Sequence, residues 1–419
     1  VYALIDANSY YVSSESVFNP AWRGKAMICL SNNDGIVVAA NTLAKQAGIE
    51  KFKSYIDVKA LCELKNVIVC SSNYELYDSL SRSMMEVIGR FGPIQYCYSI
   101  DESFLDFNGC DKTITDYHQH GMKIRRAVWK ECRLPVSVGF GPTLTMSKIA
   151  NKLAKTDASL KGSCVLETPE QWIPALKATQ VSEVWGIGSR LTQKLKFMGV
   201  TSAYDLSLLD PKKAREDFSV EVERCIRELN GERCKFWDQV KASKTQIFST
   251  RSVGKRIESL TELQQALSTH VGIASRKARK QNSLCKVLTA FAQNSAYDDG
   301  KPQGFRQLHE FEYPTSDVNQ ITSVVNRIAT QFFKEGTRYY KIGVGLIDLV
   351  DGEHYQADLF NPKPNDTELM KVFDQLNAKY GTNSIFLGAQ GVRQEWKMKR
   401  SLLTPRYTTK WSDIPKIQC

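Results

Sequence analysis

Between residues 246 and 350 the chain changes its hydrophobic period repeatedly. Strand patterns cover 246–257, 285–296, 305–313 and 339–350, and helical spacing covers 259–281 and 317–334. That β-α-β-β-α-β order is the split βαβ supersecondary unit. Its size and pattern are those of an independent small domain. At 419 residues the chain is too long for one ordinary core, so further domains are expected around it.

The part before this unit interleaves strands and helices differently. "VYALID" is a short apolar strand ending in an acid, and "SYYVSSESVFNP" is a helix that stops near Pro20. "KAMICLSNNDGIVVAAN" is strand, turn and strand, with Asn-Asp-Gly as the turn. Helical patterns follow at 41–47 and 74–90. Then come an acidic hairpin, a helix near 112–131, the strand "VSVGFG" and a helix from Leu144 to Lys155. From 166 to 235 the pattern is helical, broken by "WGIG" and "MGV", and the polar connector "QVKASKTQ" leads on. Beyond 351 lies a polar tail with Pro362, Pro364 and Pro405. The class is α+β.

Lys plus Arg outnumber Asp plus Glu by 56 to 45, a net charge of +11, which suits a polyanionic partner or simple solubility. The eleven cysteines have irregular spacing without a Cys-x-x-Cys pair. Cys62, Cys70, Cys97 and Cys164 lie in apolar runs and are read as reduced core residues of a cytosolic protein. No apolar run approaches a membrane span, and "VYALID" has no signal-peptide pattern.

The hairpin "YSIDESFLDF" sets Asp101 beside Glu102 among apolar residues. A buried carboxylate without a cation is costly, so these acids need a partner. Together with Asp6 they make three carboxylates of the type that binds hard divalent cations, and two such cations can clamp a phosphoryl transfer. For either acid alone a solvated turn is the favoured reading.

"IDANSYYVSSES", "YSIDESFLD", "SVGFGPTLTMSKIANKLAK" and "VWGIGSRLTQKLKFMGV" occur in the order found in Y-family translesion DNA polymerases. "SNNDG", "SSNYELY" and "RQEWKMKRSLLTPRYTT" resemble the UmuC branch, the type found in bacterial DNA polymerase V. The resemblance covers essentially the whole chain. It implies a right-handed α+β polymerase: palm at 1–19 and 73–165, fingers at 20–72, helical thumb with a helix-hairpin-helix at 166–235, and split-βαβ little finger at 243–350. A C-terminal partner-binding tail at 351–419 completes it.

By the same resemblance Asp6, Asp101, Glu102 and the Ala7 carbonyl hold two Mg2+ ions. Tyr11, beside Tyr10, is the steric gate that excludes a 2′-OH; from the residues alone a core tyrosine is the favoured reading. Lys45 and Lys155 hold the triphosphate of the dNTP, with Thr42 at the position where many relatives carry Tyr, and Lys45 where they carry Arg. Gly186 and Gly188 open a helix whose N–H groups face DNA phosphate. Arg251, Lys255 and Arg256 on a strand, with Arg276 and Lys280 on a helix, are backbone contacts for primer-template DNA. Gln356, Leu359 and Phe360 of "QADLF" resemble a sliding-clamp docking peptide. A cleaved UmuD dimer and a RecA filament are the further implied partners. His118 and His120 are read as surface helix residues.

The activity implied is error-prone, template-directed synthesis across damaged DNA, in bacterial cytoplasm, as part of the SOS response. No 3′–5′ exonuclease motif is visible. Two rivals stand at this point: a nucleotidyl cyclase or other palm-type enzyme acting on free nucleotides, and a non-catalytic DNA-binding scaffold. The thumb turn and basic little finger count against the first, and the intact acids against the second.

Overall fold

The opening apolar run forms β1 (Tyr2–Ala7), buried along nearly its whole length. The computed structural model describes residues 1–110, 112–237, 243–298, 301–353 and 366–415. These fall into two units, Val1–Gln239 with Leu402–Cys419, and Val240–Ser401.

In the first unit β1 leads into α1 (Tyr10–Phe18) and a small sheet subdomain. That subdomain comprises β2 (Met27–Leu30), β3 (Val37–Ala40), α2 (Thr42–Gln46), α3 (Tyr55–Leu64) and β4 (Ile68–Ser71). Its order is β3-β2-β4, with β4 parallel to β2. The chain continues through α4 (Tyr74–Gly89), β5 (Ile94–Cys97), β6 (Glu102–Asp106), α5 (Tyr117–Cys132), β7 (Val136–Gly141), α6 (Leu144–Thr156) and β8 (Ser163–Val165). The large sheet runs β5-β6-β1-β7-β8, with β1 antiparallel to both β6 and β7.

Alternation sorts the sheet's residues onto two faces. Ala3, Ile5, Leu105, Val138 and Phe140 pack under α4 and α5. Leu4 and Phe104 face the other side, with Leu144 of α6. There "VSVGFG" supplies glycine where the helix must come close. A Cβ on Gly139 would stand 2.0 Å from the Asn151 amide nitrogen, and one on Gly141 would stand 2.8 Å from Met146 Cβ. The helix therefore lies on bare backbone. Asn151 Nδ2 donates to the Leu4 carbonyl at 3.0 Å and the Ser137 carbonyl at 2.8 Å, tying α6 to β1 and β7 together.

Five short helices follow: α7 (Pro169–Ala178), α8 (Ser189–Phe197), α9 (Ala203–Ser207), α10 (Pro211–Asp217) and α11 (Val220–Leu229). They share one core with the outer side of α6. Buried Glu228 of α11 accepts from the Thr145 amide at 3.0 Å and the Thr145 hydroxyl at 2.5 Å, in the first turn of α6.

The second unit is β9 (Ile247–Ile257), α12 (Leu260–Lys280), β10 (Ser283–Asn294), β11 (Gly304–Thr315), α13 (Val318–Phe332) and β12 (Tyr339–Asp351). Each element lies within two or three residues of its expected span. The sheet order is β11-β10-β12-β9, and α12 and α13 pack on the face of Leu288, Ala290, Ile342 and Val344.

Residues 366–415 differ from the expected polar tail. They contain α14 (Thr367–Tyr380) and are shared between the two units. In the second unit Met370 and Trp396 sink into the core, and Arg279 grips Asp374 through two bonds of 2.6 and 2.7 Å. In the first, the Leu402 carbonyl accepts from the Ser71 amide at 2.9 Å, and Tyr407 stacks on Phe18 with ring centroids 4.7 Å apart. Of the cysteines expected in the core, Cys62, Cys70 and Cys164 are buried, but Cys97 is exposed, because it ends an edge strand. His120 is half-buried, with Nε2 2.9 Å from the Phe91 carbonyl oxygen, so its ring packs on the body.

His270 of α12 is buried, with Nδ1 2.8 Å from Ser249 Oγ and Nε2 without a partner. Burial, helped by the Arg251 charge, lowers its pKa to about 4. The folded value lies below the unfolded one of about 6.5, so this stability is present above that pH and is lost as pH falls toward 4. Between pH 7 and pH 5 the loss amounts to about 2 kcal/mol. Urea unfolding of the full chain and of His270→Leu at both pH values should show this loss only in the unsubstituted chain. An equal change in both would place the acid sensitivity elsewhere.

Candidate active site on the five-stranded sheet

The register of β1 against β6 sets Asp6 directly opposite Glu102. Residues facing each other across an antiparallel pair project to the same side, so both carboxylates lie on the α6 face. Asp101 precedes β6 by one residue, and its carbonyl accepts from the Ala7 amide at 3.0 Å. Its carboxylate accepts a very short hydrogen bond from Ser99 Oγ. The three acids and Ala7 therefore share the C-terminal end of β1.

Helix α6 answers them with lysines. Lys148 Nζ lies 2.8 Å from Glu102 Oε1, and Lys155 Nζ lies 2.5 Å from Asp6 Oδ1. These two positions, i and i+7, share one helix face. Lys148 is caged by rings: its Nζ is 4.6 Å from the Tyr98 centroid, 5.7 Å from Phe104 and 5.4 Å from Trp185. Desolvated ammonium over aromatic faces is favourable. Burial raises the Asp6 pKa to about 6, against the lowering effect of Lys155; Glu102 and Asp101 add to the rise. Among the described residues no three His, Cys, Asp or Glu side chains are grouped as a metal site, and lysines occupy an oxygen each of Glu102 and Asp6. The donor set still fits a hard divalent cation: it is all oxygen, crowded with like charge and partly dehydrated.

Tyr11 and Tyr10 part company. Tyr11 is half-buried and stacks on Tyr77, with centroids 4.5 Å apart and planes at 18°. Tyr10, the neighbour of the expected gate, turns into the core and donates its hydroxyl to the Tyr77 carbonyl at 2.5 Å. Thr42 and Lys45 are exposed on α2, three residues apart on one face, behind an Asn41 cap that accepts from Ala44 at 2.9 Å. Lys51, in the loop after α2, has its pKa lowered by partial burial and then by Lys45; Asp101, Lys155 and Asp6 also act on it. This loop therefore belongs to the same electrostatic neighbourhood.

Sequence reasoning missed Lys51 and Lys148. The Lys148/Lys155 spacing in "MSKIANKLAK" was the available signal for the second.

Gly186 has φ +96, and Gly188 caps α8 with open space around it. In the second unit the expected DNA contacts divide. Lys255 pairs with Glu395 at 2.5 Å, both ends exposed, and the exposed Arg251 guanidinium lies 3.5 Å from Met398 sulfur. Arg256 is held by Asp298 through bonds of 2.9 and 2.8 Å, and its guanidinium sits 4.2 Å over Tyr340. That makes Arg256 a structural cation rather than a free one. Arg276 and Lys280 ride on α12, on the helical side of the sheet. The opposite face carries a row of Thr250, Gly343, Phe291 and Arg306 in register. Gln356, Leu359 and Phe360 lie outside the described residues.

No helix among the described residues is long and apolar enough to cross a membrane. Residues 5–152 match the impB/mucB/samB family, residues 244–359 match that family's C-terminal domain, and residues 367–417 match a domain of unknown function. The chain is 35% identical over 423 residues to Protein UmuC of Salmonella typhimurium, covering 100% of each. It is 36% identical over 421 residues to Protein ImpB of the same organism, covering 99% of each. DNA polymerase IV 1 of Bacillus subtilis is 25% identical over 418 residues, covering 94% of each. A solved Y-family DNA polymerase chimera of Dbh and Dpo4 superimposes with TM-score 0.65 at 16% identity, over 84% of this chain and 99% of the other, a likeness of fold. With full-length identity to UmuC and ImpB and this shared fold, the chain belongs to the impB/mucB/samB family and is a Y-family translesion DNA polymerase of the UmuC type.

Proposed function

We propose that Asp6, Asp101 and Glu102, with the Ala7 carbonyl, hold two Mg2+ ions that serve nucleotidyl transfer from a dNTP to a primer 3′-OH. The observation that carries this reading is the Asp6–Glu102 pairing across β1 and β6, faced by two lysines from one helix. Bound there, the cations would polarise phosphate oxygens and offset developing negative charge. The chain's own residues do the positioning. Lys155, Lys45 and the exposed face of α2 that carries Thr42 line the side toward which a triphosphate would extend, and an ammonium is a compact partner for it. Lys155, on its flexible stem, would turn its ammonium from Asp6 to a phosphate oxygen of the nucleotide. Tyr11 stands on the Tyr77 ring as a flat wall beneath the sugar, leaving no room for a 2′-OH.

Primer-template DNA would be gripped through its backbone, by the Gly186–Gly188 turn and by Arg251 and Lys255. Exposed ion pairs such as Lys255–Glu395 hold little free energy and exchange readily with phosphate. By likeness to UmuC, a cleaved UmuD dimer and a RecA filament are the expected regulatory partners. The peptide containing Gln356, Leu359 and Phe360 is the expected contact for a sliding clamp.

Asp101→Asn should abolish primer extension while leaving primer-template affinity, measured by fluorescence anisotropy, largely unchanged. Extension by a preparation free of unsubstituted enzyme would remove Asp101 from the metal site. Lys155→Met should raise the KM for dNTP about 10- to 100-fold, the worth of one charge-assisted hydrogen bond, with DNA affinity preserved. An unchanged KM would take Lys155 out of the triphosphate path.

A further inference from the structure

The chain enters the small three-stranded sheet once and leaves it once. It enters through Phe18, Asn19 and Pro20, where α1 ends, and leaves through Ser71, Ser72 and Asn73, where β4 gives way to α4. Residues 402–407 touch both crossings. At the exit the Ser71 amide donates to the Leu402 carbonyl at 2.9 Å, and the Leu402 amide donates to Ser71 Oγ at 2.9 Å. Ser71 Oγ in turn donates to Asp34 Oδ1 at 2.5 Å, in the turn between β2 and β3. Two residues further on, Asn73 Nδ2 faces three oxygens: the Thr404 carbonyl at 3.1 Å, the Thr404 hydroxyl at 3.0 Å and the Pro405 carbonyl at 3.2 Å. Asn73 and Thr404 are both buried. At the entrance the Tyr407 ring lies on Phe18, with centroids 4.7 Å apart and planes at 19°. The Tyr407 hydroxyl accepts from Asn19 Nδ2 at 3.3 Å.

Between the crossings the sheet is one hydrogen-bonded body. Leu30 of β2 pairs with Ser71 of β4, and Ile28 of β2 pairs with Ala40 of β3. Asn41 follows β3 at once: its Oδ1 accepts from the Met27 amide at 3.1 Å and from the Ala44 amide at 2.9 Å, which caps α2. Lys45 rides on α2. A rotation of the sheet about its crossings therefore carries Lys45 with it, and such element-terminal residues are where hinge motion is absorbed. The sheet also rests on α1, through Val12 against Met27, Cys29, Ala39 and Cys70. That apolar contact is non-directional, whereas the bonds and the ring stack at the crossings fix an angle.

We propose that residues 402–407 are a brace across both crossings, with Asn73 and Tyr407 as positioning residues that hold Lys45 where a dNTP triphosphate is gripped. Without the brace the sheet samples further angles. Only the fraction at the competent angle binds well, and apparent dNTP affinity falls by that fraction. Saturating dNTP selects the competent angle, so kcat is spared. This inference rests on the reading of Lys45 as a triphosphate contact, and it gives the C-terminal segment a part in substrate binding.

The test measures KM for dATP and kcat in primer extension by the full chain and by Asn73→Asp, Tyr407→Ala, Tyr407→Phe, Lys45→Met and the double variant Tyr407→Ala with Lys45→Met. Primer-template affinity and hydrogen exchange at the Ser71 amide are followed alongside. Asn73→Asp keeps the oxygen that caps α4 through the Leu76 amide and replaces the donor to residues 404 and 405 with a second oxygen. Tyr407→Ala removes the ring, and Tyr407→Phe keeps the ring and loses the hydroxyl. Asn73→Asp and Tyr407→Ala should speed exchange at Ser71 and raise KM about tenfold, the order of one charge-assisted hydrogen bond lost to the triphosphate. Both should keep kcat within about twofold, and Tyr407→Phe should keep KM within about twofold, because the stack remains. Primer-template affinity should not change. The double variant should have the KM of Lys45→Met alone, because the brace acts through that lysine. If Lys45→Met raises KM while Asn73→Asp and Tyr407→Ala leave it unchanged, the segment is only packing and the proposal is overturned. Slow exchange at Ser71 in both of those variants overturns it too, since the crossings would then hold without these contacts. Additive effects in the double variant would also overturn it, by placing the action of the brace elsewhere. If Lys45→Met itself leaves KM unchanged, the triphosphate reading of Lys45 fails, and this inference falls with it.

Discussion

The seat of α6 on β7 is the contact on which the site depends. At Gly139 the helix backbone occupies the volume where any side chain would begin, with the Asn151 nitrogen 2.0 Å from an ideal Cβ. That approach lets Asn151 bond two strands at once and brings Lys148 and Lys155 to Glu102 and Asp6. The other side of the same helix is held by the short helices α7 to α11, and Glu228 fixes its first turn. One thirteen-residue helix therefore joins the strand-end acids, the cations facing them and the short-helix bundle into a single body.

Electrostatics explains why the acids stand there at all. Three carboxylates at one strand end would repel and would resist dehydration, as the raised Asp6 pKa records. Lysines offset that repulsion in the free chain. An ammonium on a flexible stem can exchange one anionic partner for another. The aromatic cage gives Lys148 less freedom than Lys155, which suits Lys148 to holding Glu102 and Lys155 to exchanging partners.

Much of the second unit was legible because its elements are long and half-buried, so alternation and helical spacing stand out; its strands and helices fall within a few residues of expectation. The acids were legible because adjacent carboxylates among Ile100, Phe104 and Leu105 demand an explanation. Tyr10 and Tyr11 were not separable, since adjacent residues of a helix point to different surroundings only once the neighbours are known. Arg256 read as a free cation because Asp298 lies 42 residues away. Helix α14 was missed because Met370 and Asn377 are the only residues of it fully buried, too weak a stripe to register as a period. The Thr404–Asn73 contact joins residues 331 positions apart and leaves no local trace.

Close backbone approach at Gly139 sets the distance between α6 and the acids at the end of β1. Primer extension by Gly139→Ala, measured at saturating Mg2+ and dNTP on protein whose circular dichroism matches the unsubstituted chain, tests it most directly. A methyl there must lift α6 from β7, and a displacement near 1 Å should lower kcat by about 100-fold. A rate within about twofold of the unsubstituted chain would mean that the site is indifferent to the position of the helix that faces it.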